Sequence, residues 1–355
     1  MVMKTYLLFF LIAFQINVVA QQMKYYNFIN QAEELFVTKR DTSCFEYYEL
    51  AFHAKARYFA KDAYIAAQIA FCLKENKLTL TYLKRAFELG LPFTALKAAP
   101  IFSKIETAAI YPEIVTTFQN CKKPIFDSKT RDEVYQRYFE SDSIKFYMGR
   151  DSKKIGAFHD SENVFRAFLY TNFLSKGTFP NENMIGIALD SLYSDFLKRY
   201  GHTDPWAAAE KAMFGVNPEA PMIENELLAK FSYSVLLHSH CSFPNYQKLL
   251  FAAVMNGYMQ PIEFAILHET SIIWKKEDNP ANQCEQLISN AYYNVMNYDP
   301  TRKLQTRVAD SDFERIKLVE QNRALIGMQK YSVDQLKYRA QKELGIDFFF
   351  DFLNR

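Results

Sequence analysis

Apolar residues recur every three or four positions through most of the chain, while alternating runs bounded by turn residues are scarce, so the pattern predicts helices rather than strands. Amphipathic stretches are expected at 132–148, 162–174, 184–200, 224–238, 246–255, 262–274, 284–295, 313–324 and 333–344. The punctuation between them agrees. Asp204 followed by Pro205 reads as an N-cap with proline in the first turn, and Ser332 with Gln335 reads as a capping box. Gly90, Gly257 and Gly345 fall just past periodic stretches, where a left-handed cap is easiest for glycine. The fold class expected from this pattern is all-α.

Closer to the start, an offset of 35 residues aligns Ala32 with Ala67, Tyr47 with Tyr82, Tyr48 with Leu83, Ala51 with Ala86, and Phe52 with Phe87. Together with the small residues at Ala67 and Ala86, and Pro92 closing the unit, this period over 25–93 resembles the tetratricopeptide repeat. Thr79 and Cys44 depart from that pattern, since the family prefers alanine there. The resemblance implies stacked helical hairpins, with a related helix pair continuing over 101–120. Two visible units are too few for a continuous core of their own, so the array is expected to lean on the helices C-terminal to it. The periodicity breaks at Pro124, which places a boundary near 125 and gives 21–125 as the repeat-like part and 126–355 as a multi-helix α domain.

Within the second part, Leu236-Leu237-His238, the run from Leu249 to Val254, Gly257, Pro261 and Ala265 resemble a bacterial domain family of unknown function. A later Val319-Glu320-Gln321-Asn322-Arg323 with Ile326-Gly327-Met328 is similar to that family's closing segment, so the likeness covers 184–344. The family's Gly-Thr-Gln element is missing, with only Asn282-Gln283 near its place. This resemblance transfers no chemistry.

Residues 1–20 change the picture of location. Lys4 precedes a mostly apolar run over 7–19, shorter than the ~20 residues a spanning helix wants, and Val18 and Ala20 suit the pockets of a signal peptidase cutting before Gln21. The chain is therefore expected to be exported to periplasm or exterior, with no transmembrane segment in its mature form. Among 355 residues, 42 Lys and Arg nearly balance 40 Asp and Glu, so no net field favours nucleic acid. The hydrophobic share of 49% is ample for a large core. Cys44, Cys72, Cys121, Cys241 and Cys284 form no CxxC pair, which argues against zinc-ribbon and thioredoxin motifs and fixes no disulfide pairing.

Among groups able to do chemistry, His238, His240, His268 and Glu269 are the candidate catalytic or metal-ligating cluster, because imidazole and carboxylate suit zinc or an acid/base pair. On a continuous helix, however, His238 and His240 point about 200° apart. Convergence needs a helix end near Pro244 and an antiparallel return around Gly257; otherwise these are surface or capping histidines. Arg323 is a candidate anion contact or the cation of a structural ion pair. Neither a Gly-x-Ser-x-Gly elbow nor a phosphate-binding glycine loop is present, and no cofactor is implied. The 23 tyrosines and 32 phenylalanines recur at helical spacing and read as core, and the aromatic tail 348–353 is expected to dock on its own domain.

The function expected from these observations is that of a secreted, non-enzymatic helical scaffold with a protein or peptide partner. The alternatives are a metal-dependent or acid/base enzyme using the His/Glu cluster, and a module binding cell-surface glycan or another ligand.

Overall fold

The computed structural model describes residues 2–54, 57–97, 99–148, 155–187, 190–203, 230–237, 242–276, 296–299, 304–307 and 313–348. Its fold is all-α. Helix α1 (Val2–Lys39) packs on α2 (Cys44–His53), and α3 (Ala60–Cys72) packs on α4 (Asn76–Glu88), giving two successive helical hairpins. Most of the 35-residue equivalences become equivalent burial, Tyr47 and Tyr82 excepted, the first half-buried and the second fully buried. Ala32 and Ala67 are fully buried, as are Ala51 and Ala86, and Phe52 and Phe87 both lie in the core. Small side chains at those places let the paired helices approach closely.

The expected helix pair over 101–120 is instead a set of short 3-10 turns (Pro100–Phe102 and Ile105–Thr107) followed by the single helix α5 (Tyr111–Asn120). Pro100 and Pro112 account for much of this, since each can begin a turn but cannot continue one from the preceding residue. Beyond it, α6 (Ser128–Met148) packs on α7 (Ile155–Asn172). The stretch expected as one helix over 184–200 divides into α8 (Glu182–Ile185) and α9 (Asp190–Arg199), with Gly186 at a φ of 88° between them. Next come α10 (Lys230–Leu237), α11 (Ser242–Met255) and α12 (Pro261–Lys276). Pro244 falls in the first turn of α11, where its missing N–H would have had no intrahelical acceptor.

An antiparallel hairpin went unread in the sequence: β1 (Met296–Asp299) pairs with β2 (Leu304–Arg307), with Met296 opposite Arg307 and Asp299 opposite Leu304. Its strands are four residues each, too short for alternation to stand out. The chain closes with α13 (Phe313–Leu325) and α14 (Tyr331–Leu344). Asp204 and the stretch 284–295 lie outside the described residues. The capping box at Ser332 is corrected. Helix α14 starts at Tyr331, and Glu320 of α13 accepts from the backbone N–H of Tyr331 (3.0 Å) and Ser332 (3.3 Å), while Gln335 donates to the Tyr331 hydroxyl. A carboxylate from the neighbouring helix thus does the capping expected of a local serine.

Most buried apolar side chains form one cluster from Tyr25 to Phe348, spanning both sides of residue 125, and Val319 forms a small separate one with Ile316 and Tyr331. At its centre α3 is buried on nearly every side, including its polar Asp62 and Gln68. The end of the chain closes on the N-terminal hairpins. Helix α1 packs on α14 and α11, Asn30 donates to the carbonyl of Gly327 (3.0 Å), and Gln329 donates to that of Asn30 (2.6 Å). Phe348 is buried, as expected for the start of the aromatic tail; residues 349–355 lie outside the described part.

The α13–α14 turn comes close enough to α1 that one residue decides the fit. Gly327 has a φ of 76°, and a Cβ there would stand 2.6 Å from Tyr26 Cδ2 and 2.8 Å from its Cβ. Tyr26 cannot yield, because its hydroxyl donates to the carbonyl of Val254 at 3.0 Å. Gly327→Ala is expected to destabilise by about 2 kcal/mol or more, combining left-handed strain with the clash. Gly156→Ala, in α7 with nothing within 4 Å, should be neutral or slightly stabilising. Urea midpoints of the two variants check the contrast.

Candidate ligand cavity

Where α3, α12 and α14 begin and α13 ends, around the middle of α1, they line a half-open cavity of about 90 Å³. A single water needs ~10–15 Å³ of such space, so about six water-sized groups fit. Tyr26 and Phe59 make an aromatic wall, stacked at 6.5 Å with their planes 13° apart. Ile29, Ile65 and Met328 add apolar surface. Much of the remaining wall is polar, and six of its residues are charged: Glu33, Lys61, Asp62, Arg323, Asp334 and Lys337.

Two of the charge contacts are internal ion pairs. Lys337, on α14, places its ammonium 2.6 Å from Glu33 of α1 and 3.7 Å from Asp334. Arg323, 2% exposed, pairs with Asp334 and donates from Nε to the carbonyl of Gln329 at 2.6 Å. Burial pushes the Glu33 carboxyl above its ordinary range, and Lys337 cancels this only in part. Burial works against the Lys337 ammonium too, but Glu33 and Asp334 outweigh it and hold its pKa above that of an ordinary lysine.

The start of α3 supplies the other charged pair, Lys61 and Asp62. Tyr25 donates to Asp62 Oδ2 at 2.6 Å and accepts from the N–H of Phe59. Burial, then the Asp62 charge, raise the Tyr25 hydroxyl well above its ordinary value, so it remains a donor. Among the described residues no cation stands within ion-pair distance of Asp62, and no carboxylate within that distance of Lys61. Asp62 is 6% exposed, and Lys61 is half-buried at the cavity's edge.

Two more buried carboxyls lie behind the wall, each at a helix N-terminus. Glu182 accepts from the Ala60 N–H that opens α3, and Glu263 accepts from the Gln260 N–H before α12 at 2.7 Å. Such positions offer unpaired backbone donors and the positive end of the helix dipole. Burial nevertheless pushes the Glu182 carboxyl up to about 8. The N-termini of α3 and α12 are thus already occupied by the protein's own groups.

Of the described residues singled out in the sequence as candidates for chemistry, Arg323 lines the cavity and His268 and Glu269 do not. Arg323 is in the cavity wall, as the cation of an ion pair. His268 is fully buried on α12, edge-on to Phe243 with ring centroids 5.0 Å apart, and Glu269 is its half-buried neighbour. His238 and His240 lie outside the described residues, as do Cys241 and Cys284. Among the described residues no group of three or more His, Cys, Asp or Glu is arranged to hold a metal ion. Cys44, Cys72 and Cys121 are thiols, and burial pushes Cys44 up to about 12. Sequence reasoning missed Glu33, Lys61, Asp62, Asp334 and Lys337. The available signal was an acid and an amide, Asp62 and Gln68, inside an otherwise apolar helical run.

No family model matches the chain, and neither a curated protein nor a solved structure matches it.

Proposed function

We propose that this chain is an exported, non-catalytic helical binding protein. Two tetratricopeptide-like hairpins and the helices closing over them hold a small polar molecule between α1, α3 and α14. The observation that carries this reading is the half-open cavity whose walls bear three acids and three bases, two sets of which already pair with each other. Burying charge is unfavourable unless partners compensate it, so a cavity retaining uncompensated charge is suited to a ligand that completes it. Native mass spectrometry of the protein recovered from the exported fraction is expected to show a small non-covalent adduct, lost on denaturation. Bare protein that is also not stabilised by a low-mass cell extract would overturn the reading.

Export is supported by Lys4, the apolar run over 7–19 and the Val18–Ala20 pair. The proposed cut leaves Gln22 in the mature chain, where it is needed: it is 1% exposed, donates to the Arg57 carbonyl at 3.1 Å and accepts from the Arg57 N–H at 3.0 Å. N-terminal sequencing of the exported product should therefore begin at Gln21; a start beyond Gln22 would contradict this.

A second reading, a scaffold for a protein or peptide partner, is favoured by how the hairpins treat the chain's own end. The fully buried Gln68 amide on α3 accepts from the Asp347 N–H at 2.7 Å and donates to the Asp347 carbonyl at 3.3 Å, holding a non-helical segment by its backbone as a peptide would be held. Gln68→Ala is expected to release 345–348 to limited proteolysis while α6 and α7 stay resistant. Unchanged cleavage would remove the support for this reading. Among the described residues no helix is long and apolar enough to cross a membrane.

A further inference from the structure

Resting on the binding reading above, we propose that the cavity's ligand is a small zwitterion, an amino acid bearing a free ammonium and a free carboxylate, held between Asp62 and Lys61. The charges around the cavity can be matched one by one. Lys337 answers Glu33, and Arg323 answers Asp334 while also donating to the carbonyl of Gln329. This leaves one carboxylate and one ammonium without an ion-pair partner among the described residues, and they are consecutive residues opening α3.

Asp62 is the more demanding of the two because it is 6% exposed. Its Oδ2 is engaged by Tyr25, and none of the described hydrogen bonds reaches Oδ1. That second oxygen is not shut off from the cavity and is open to an incoming N–H donor carrying positive charge, since charge-assisted hydrogen bonds are roughly twice as strong as neutral ones. Lys61 sits at the edge and acts on Glu33 and Glu182 through its field alone, so its ammonium can meet an entering carboxylate. An ion of one sign would leave the opposite charge of this pair unanswered; a zwitterion answers both.

Size and the rest of the wall narrow the choice. Space for about six water-sized groups fits an amino acid with a side chain as small as that of alanine or serine. The stacked rings of Tyr26 and Phe59, with Ile65, give a short aliphatic side chain an apolar surface. Neither helix N-terminus competes for the ligand carboxylate, because Glu182 and Glu263 already cap them. The ligand's anion is therefore assigned to Lys61.

Isothermal titration of the full exported chain at pH 7 with L-alanine, glycine, acetate and methylamine tests the assignment. Alanine or glycine should bind at least about tenfold more tightly than acetate or methylamine, since each single-charge probe lacks one ion pair. Lys61→Gln should weaken alanine about tenfold, and Lys61→Arg should keep most of the affinity. Asp62→Asn, which retains an acceptor for Tyr25, should weaken alanine while leaving acetate unchanged. Equal binding of all four probes, or alanine affinity untouched in both Lys61→Gln and Asp62→Asn, overturns the proposal. Stabilisation by a low-mass extract with no response to any of the four probes overturns the zwitterion while sparing the binding reading. Absence of both responses overturns both. Lys61 is half-buried at the edge, so its variants keep the test decisive if Asp62→Asn folds poorly.

Discussion

Glu182→Gln is expected to make the protein more stable than the native chain at alkaline pH and no different near pH 4. The native carboxyl is 6% exposed and pushed up to about 8, against 4.5 for an ordinary glutamate. The folded state therefore holds the proton more tightly than the unfolded state does. Stability from this group is fully present below about 4.5 and is lost progressively as pH rises towards 8, where folding no longer retains the proton. At 1.36 kcal/mol per pKa unit, the whole difference is roughly 5 kcal/mol. Glutamine keeps a carbonyl oxygen to accept from the Ala60 N–H and carries no charge to bury. Urea unfolding of both chains between pH 4 and pH 9 checks this. Parallel curves would show that the carboxyl is ionised and satisfied at neutral pH.

The second large effect concerns the pair beside the cavity. Lys337→Met should cost about 3–5 kcal/mol, the usual consequence of leaving a buried charge uncompensated. Glu33 is 3% exposed and its ion-pair partner at 2.6 Å is Lys337. Glu33→Leu should cost less, because Lys337 keeps Asp334 at 3.7 Å. Combining the two substitutions should recover much of the Lys337→Met loss, since an apolar pair of similar volume can replace a buried ion pair. A double-mutant cycle from denaturant midpoints gives the coupling, and additivity would show that the two side chains do not share their charge.

Helices were legible because their signal repeats locally. The stretches 246–255, 262–274, 313–324 and 333–344 correspond closely to α11, α12, α13 and α14, and Gly345 is a left-handed cap as its position implied. The hairpins α1–α2 and α3–α4 were legible from the 35-residue offset because several of the matched residues, Ala32 and Ala67, Ala51 and Ala86, and Phe52 and Phe87, are buried in both. Caps supplied from a distance were not. Glu320 displaces Ser332 at α14, and Glu182 reaches α3 across 122 residues of sequence.

The cavity was harder still to read, since its walls come from residue 26 through residue 348 and no local spacing ties them together. Histidine chemistry is versatile, yet the charges that line the cavity are a lysine and an acid on α3, an acid on α1, an arginine on α13, and a lysine and an acid on α14. Asp62 stands in the sequence as an acid inside an apolar helical run, a signal that the sequence reading passed over. That it faces space rather than a cation follows only from tertiary packing.

Hydrogen exchange with and without saturating L-alanine tests the location of the ligand most directly. Added protection is predicted in peptides covering 26–33, 59–65 and 323–337, the three stretches that carry the charged wall, with α7 unaffected. Unchanged exchange in all three stretches, or protection spread equally over 155–172, would contradict a site enclosed between the N-terminal hairpins and the closing helices.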